Sequence, residues 1–149
     1  MEISAISLGA ALAVGLSGLG VALGEGGVAR TSLEMIGKSP RLSGTMMIYT
    51  VLGIALVETS VIYGLVIAFS IIGSPEAAQA NVVGAGLVMG LTGLGAGFAQ
   101  GKLLSGALEA INRNPDNKTQ ILQFMVLFAA LVETASIYGL TIALQLLSV

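Results

Sequence analysis

Two glutamates stand where an apolar chain has least use for them. LVETSVIYG (Leu56 to Gly64) and LVETASIYG (Leu131 to Gly139) each set a Glu, a Thr one residue on and a Tyr five residues on inside an otherwise oily run. An acid in such surroundings is tolerated only if it is neutral, paired or bound to a counter-ion. The neighbours suit cation binding. Thr59 and Tyr63 lie at about 100° and 140° from Glu58 around a helix, and they are i, i+4 neighbours on one flank. The Thr59 hydroxyl can coordinate a cation, and the Tyr63 hydroxyl can donate to the Glu58 carboxylate and lock its rotamer. Glu133, Thr134 and Tyr138 repeat the set, so the same lock is expected from Tyr138 on Glu133. A protonated glutamate joining helices is the plainer alternative.

Two further polar residues stand 33 positions before these acids: Glu25 before Glu58, and Gln100 before Glu133. Gln100 offers an amide oxygen, a neutral ligand for a hard cation. Glu25 offers a second carboxyl, and two carboxylates side by side do not both ionise at low cost. The Glu25–Glu58 site is therefore expected to hold one cation and one shared proton. Glu25 as a snorkelling residue near a helix end is the competing view, but it sits deep in its apolar run.

The elements that position these groups follow from composition. Of 149 residues, 55% are hydrophobic and 9% are charged, against about 25% charged in soluble domains. A membrane-spanning helix needs ~20 mostly apolar residues. Four such runs occur, near Ile3 to Ile36, Ser43 to Ile72, Ala78 to Ile111 and Thr119 to Leu147. The fold class is thus an all-α membrane protein of four transmembrane helices. Each run is long enough to reach ~45 Å, so the helices should tilt or project beyond the ~30 Å hydrocarbon core. With no cysteine or histidine, disulfides and the usual zinc or haem sites are excluded. No cofactor, nucleotide-binding loop or nucleic-acid partner is indicated. Glu2 precedes the first run with no basic segment, so that run is kept as a helix rather than a cleaved signal.

The chain is duplicated. Aligning residue i with i+75 gives 27 identities in 74 pairs without a gap. They include Gly15/Gly90, Gly18/Gly93, Gly20/Gly95, Gly26/Gly101, Pro40/Pro115 and the Glu–Thr–Tyr sets. Residues 1–74 and 75–149 are two helical hairpins joined by GSPEAAQ (Gly73 to Gln79). All six basic residues flank the two within-hairpin loops: Arg30, Lys38 and Arg41, then Lys102, Arg113 and Lys118. The positive-inside rule puts those loops in the cytoplasm and both termini outside. Glycines crowd the first helix of each hairpin, in GLSGLGVALGEG (Gly15 to Gly26) and GLTGLGAGFAQG (Gly90 to Gly101). Ordinary small-residue packing or a tightly curved inner wall would both use them.

A glycine-rich helix, a basic-X-Pro loop and a helix with E-T…Y resemble the c subunit of rotary ATP synthases. The doubled form resembles the proteolipid or K subunit of V/A-type ATPases. Arg113-Asn114-Pro115 is similar to the family's Arg-Gln-Pro loop, and Lys38-Ser39-Pro40-Arg41 is a looser copy. The resemblance covers nearly the whole chain. It implies a homo-oligomeric rotor ring in a prokaryotic plasma membrane, each carboxylate carrying Na⁺ or H⁺ past a stator a/I subunit with a basic residue. The loops would touch the central stalk. Carried over by position, Glu133 takes Gln100, Thr134, Tyr138 and the Leu131 carbonyl. Glu58 takes Glu25, Thr59, Tyr63 and the Leu56 carbonyl. That set resembles the sodium-type signature, with Glu25 in place of the commoner glutamine. The chain would then be the translocating part of an enzyme and not a catalyst by itself, with two ions per chain. F-type and V/A-type complexes both stay open. A small proton-coupled multidrug antiporter also has four helices and a membrane glutamate, but places it in helix 1 without this duplication. A pore-forming proteolipid with no motor role is the other rival.

Overall fold

The computed structural model describes residues 4–74 and 79–148. The joint at 75–78, with the division between residues 74 and 75 at its edge, and the extreme ends of the chain lie outside the described residues, as do Ile3 and Ala78. Four long helices follow: α1 (Ala5–Lys38), α2 (Ser43–Ile72), α3 (Gln79–Arg113) and α4 (Lys118–Leu147). All four are long and apolar enough to cross a membrane.

Each hairpin turns by the same device. A residue before proline is pushed out of the helical region, and Ser39 and Asn114 take nearly identical conformations (φ −139°, ψ 73° and φ −141°, ψ 81°). Pro40–Leu42 and Pro115–Asn117 then form 3₁₀ turns that lead directly into α2 and α4. At the other end α1 is capped by Ser4, whose hydroxyl accepts from the Ser7 amide at 3.2 Å.

The glycine-rich helices α1 and α3 lie backbone against backbone. A Cβ on Gly20 would strike the Leu94 backbone, one on Gly24 the Gly97 carbonyl, and one on Gly101 the Gly24 backbone. Lipid gives no hydrophobic push between helices, so this close van der Waals contact is what association rests on. Helices α2 and α4 stand outside this pair. They show Ile48, Val51, Ile62, Phe69, Phe124, Leu127 and Leu144 on their free surfaces. Such exposure suits a lipid solvent and would be a liability in water.

Two apolar cores result. One, toward the hairpin loops, gathers Val28, Met46, Leu104, Leu108, Ile111 and Met125. The other, toward the helix ends near the joint, gathers Ala13, Ile67, Ile71, Val82 and Met89. The buried polar residues Ser17, Ser60, Gln100 and Ser136 form a layer between them. Ser60 and Ser136 hydrogen-bond across α2 and α4 at 3.1 Å, one of the ties between the hairpins.

The glycine contacts predict a sharp difference between two alanine substitutions. Gly20→Ala should destabilise the helix packing by about 1–3 kcal/mol through overpacking. Gly37→Ala, where a Cβ meets nothing within 4 Å, should be neutral. Unfolding in graded detergent mixtures compares them, and equal stability would discount the close approach.

Candidate ion-binding sites

Helix α4 carries Glu133 about sixteen residues from its start, roughly 24 Å along the axis. It is half-buried, and its Oε1 accepts a hydrogen bond from the Tyr63 hydroxyl at 2.9 Å. That tyrosine comes from the other hairpin. Neither expected lock within a hairpin is made: Tyr63 does not hold Glu58, and Tyr138, 69% exposed, does not hold Glu133. The reason is geometric. A residue five positions on points about 140° away from its own helix's acid, so it reaches a neighbouring helix instead. The helical angle already contained this signal.

Gln100 is wholly buried. Its amide nitrogen donates to the Ala129 carbonyl at 3.2 Å, one turn before Glu133 on α4. This anchor was not foreseen. It fixes the side chain against α4 and leaves Oε1 buried without a hydrogen-bond partner. An orphan acceptor in such a place is costly, and an amide oxygen is a neutral ligand of the kind a hard cation accepts. Thr59 donates to the Leu56 carbonyl at 2.8 Å, and it lies one turn before Tyr63 on the same flank of α2. The arrangement therefore brings together Glu133 and Gln100 of the second hairpin with Tyr63 of the first. The flank of Tyr63 carries Thr59 beside them.

The second set is open. Glu58 is exposed on α2. Glu25 is half-buried on α1, and its Oε1 is buried with no hydrogen-bond partner. Thr134 donates to the Leu131 carbonyl at 2.7 Å, repeating the Thr59–Leu56 geometry, and Leu131 is 59% exposed. Leu131, Thr134 and Tyr138 thus stand away from Glu133 on an unfilled flank. Among the described residues one group of candidate ligands is joined across the hairpins, and the repeat-related group is split between two open flanks. At the loops, Lys38, Pro40, Arg41, Arg113 and Asn114 are exposed, while Ser39 and Pro115 are half-buried.

The family profile of the ATP synthase C subunit matches the chain twice, over residues 8–71 and 83–146. The chain belongs to this family. Its c/K proteolipids are ion-translocating parts of a rotary ATP synthase, not catalysts in themselves, and they form rings within that complex. With four spanning helices, membership makes this an integral membrane protein. The ATP synthase c subunit of Thermosynechococcus vestitus is 45% identical over 74 residues, half of this chain and 90% of that one. The ATP synthase c subunit of Clostridium beijerinckii is 47% identical over 66 residues, 44% of this chain and 92% of that one. The A-type ATP synthase K subunit of Methanocaldococcus jannaschii is 36% identical over 146 residues, 95% of this chain but 60% of that one. These relatives give the antiporter reading no support.

The cross-hairpin bond generates a test. A hydrogen bond to a charged group is worth about 1.5–3 kcal/mol, so Tyr63→Phe should speed carbodiimide modification of Glu133 roughly tenfold or more. Peptide mapping of the modified protein reads it. A lock within each hairpin would instead show Tyr63→Phe acting on Glu58 alone.

Proposed function

We propose that this proteolipid carries Na⁺, or alternatively H⁺, on Glu58 and Glu133 as its ring turns, coupling ion flow to ATP synthesis or hydrolysis. The observation that carries this reading is the bond from Tyr63 to Glu133, because it pairs an acid of one hairpin with the flank of another. Repeating that relation from the second hairpin onward gives Glu58 of one chain the Tyr138, Thr134 and Leu131 carbonyl of a neighbouring copy. Every second site then closes only in a ring.

The apolar surfaces support the same repetition. Leu104 of α3 enters the groove of the first hairpin beside Gly53. The corresponding cleft of the second hairpin, about 600 Å³ between Ala107, Ile121, Phe124 and Phe128, is open. On the opposite flank Leu33, the repeat counterpart of the buried Leu108, is 71% exposed. A further copy would fill the one with the other.

In this account Glu133 binds the ion with Gln100, Tyr63, Thr59 and the Leu56 carbonyl. The orphan oxygens of Gln100 and Glu25 favour sodium over a bare proton, since a cation with several ligands satisfies them and a carboxyl proton satisfies one. A loaded site is neutral and passes lipid at tolerable cost. Opposite the stator's basic residue, Glu58 or Glu133 releases its ion into a water path. The membrane potential supplies ~2.3 kcal/mol per charge per 100 mV. The basic loops face the cytoplasm and the central stalk, the termini face outside, and the membrane is a prokaryotic plasma membrane.

Glu133→Gln should abolish coupled transport in reconstituted complexes while rings still assemble, since one dead site per chain blocks passage past the stator. Full transport in that variant would contradict the reading. Protection of Glu133 from carbodiimide by Na⁺ separates it from the antiporter, which lipophilic cations would protect.

A further inference from the structure

The contact between the two hairpins is a template for a contact between copies. Gly20, Gly90 and Gly101 press on the facing helix, where an added Cβ would strike the Leu94, Leu12 and Gly24 backbones. Their counterparts 75 residues away in the repeat are Gly95, Gly15 and Gly26, and a Cβ on any of these meets nothing within 4 Å. The same close-approach surface is thus filled once inside the chain and open once on its flanks. A second copy, set with its first hairpin against this second hairpin, continues it.

Three pairs in the template do not repeat as themselves. Leu104 packs on Gly53, where a Cβ would lie 3.3 Å from its side chain. At the repeat offset Gly53 becomes Phe128 and Leu104 becomes Ala29, so the large residue changes sides. Phe128 is 45% exposed and borders the open cleft of about 600 Å³ on the second hairpin. Ala29 lines a groove of about 460 Å³ on the free flank of the first. Ser60 and Ser136, bonded at 3.1 Å, become Ala135 and Val61, an apolar pair. Gly24 and Gly97 become Ala99 and Ala22, both exposed. Each contact is matched within itself: large on small, and hydroxyl on hydroxyl or apolar on apolar. Mixed contacts are not. Second hairpin against second would set Phe128 on Leu104 and Ala99 on the Gly97 carbonyl. First against first would set Gly53 on Ala29 and leave a void. Overpacking and voids both destabilise, and either mixture takes from one serine the hydroxyl across from it.

We infer that the free flank of the second hairpin is selective: it accepts the first hairpin of another copy, with Phe128 seated on that copy's Ala29, and rejects a second hairpin. This rests on the ring of the proposed function and adds the residues that fix the order of hairpins in it. The selectivity combines an attractive fit with a built-in clash against the wrong partner. The contact is head-to-tail, so it closes a ring only by repeating without error. Strict alternation also keeps the Glu58 and Glu133 sites in turn around that ring.

The test measures the fraction of full-length chain found in rings, by native mass spectrometry in mild detergent. Ala29→Leu sets a leucine against Phe128 and should lower that fraction several-fold. Phe128→Gly opens a void and should lower it too. The two together rebuild the Gly53–Leu104 fit between chains and should return the fraction to near the wild-type level. A double variant no better than the worse single overturns the inference, as does an undiminished fraction in Ala29→Leu. A second measurement does not depend on assembly strength. The chain has no cysteine, so Ala29→Cys with Phe128→Cys should join copies into disulfide-linked ladders under a mild oxidant, and monomers alone would overturn the pairing. Wild-type chains that form no rings would remove the proposed function and this inference together. Wild-type rings without rescue in the double variant would remove this inference alone.

Discussion

A carboxylate in hydrocarbon has no water to screen it, and the rest of this molecule is organised around that fact. A charge at the helix centre costs ~3 kcal/mol on insertion scales and more by simulation. Glu133 on α4 accepts a hydrogen bond from Tyr63 on α2, and Gln100 on α3 is anchored one turn away on α4. Those helices converge only because α1 and α3 approach to backbone contact. The glycines therefore belong to the same argument as the acids. Without the Gly24–Gly101 contact, α2 and α4 would have no rigid inner wall to stand on, and a tyrosine hydroxyl would not sit within hydrogen-bond reach of an acid seventy residues away.

The two acids are alike in sequence and unlike in setting. Glu133 is half-buried and held, and Glu58 is exposed and unheld. Duplication explains the difference. A pairing that runs from one hairpin to the next is satisfied once inside a two-hairpin chain and left over once at its edges. Tyr138 and Leu131, two of the more exposed apolar side chains, are the leftover half. The proposed sites also differ in chemistry. In the proposed function an amide oxygen would serve Glu133 and a second carboxyl would serve Glu58, so ion loading at Glu58 would depend more on proton concentration.

Much of this was legible before any coordinates. The four spans, the gapless repeat and the two hairpin turns follow from hydropathy, identity at a fixed offset and the prolines, and the helices end within a few residues of the apolar runs. The candidate ligands Glu58, Glu133, Glu25 and Gln100 stood out because each sets an acid or an amide inside a long apolar run. Tyr63 bonds Glu133 rather than Glu58, and Tyr138 makes no bond to Glu133, because direction around a helix outweighs proximity along it. The anchoring of Gln100 on the Ala129 carbonyl and the Ser60–Ser136 bond were not legible at all. Each depends on the rotation and height of one helix against another, which no local pattern encodes. Lys102 was counted among the charges that orient the chain, and its place over Phe98 emerged only from packing.

The central claim is that mobile cations neutralise both membrane acids, one inside each chain and one between chains. A structure of the assembled ring at high sodium, at a resolution that shows single ions, addresses it most directly. The account predicts density beside Glu133 bounded by Tyr63 and Gln100 of the same chain, and density beside Glu58 bounded by Glu25 and by Tyr138 of the next. Empty sites with both carboxyls facing bulk water, or each tyrosine turned to the acid of its own hairpin, would contradict it.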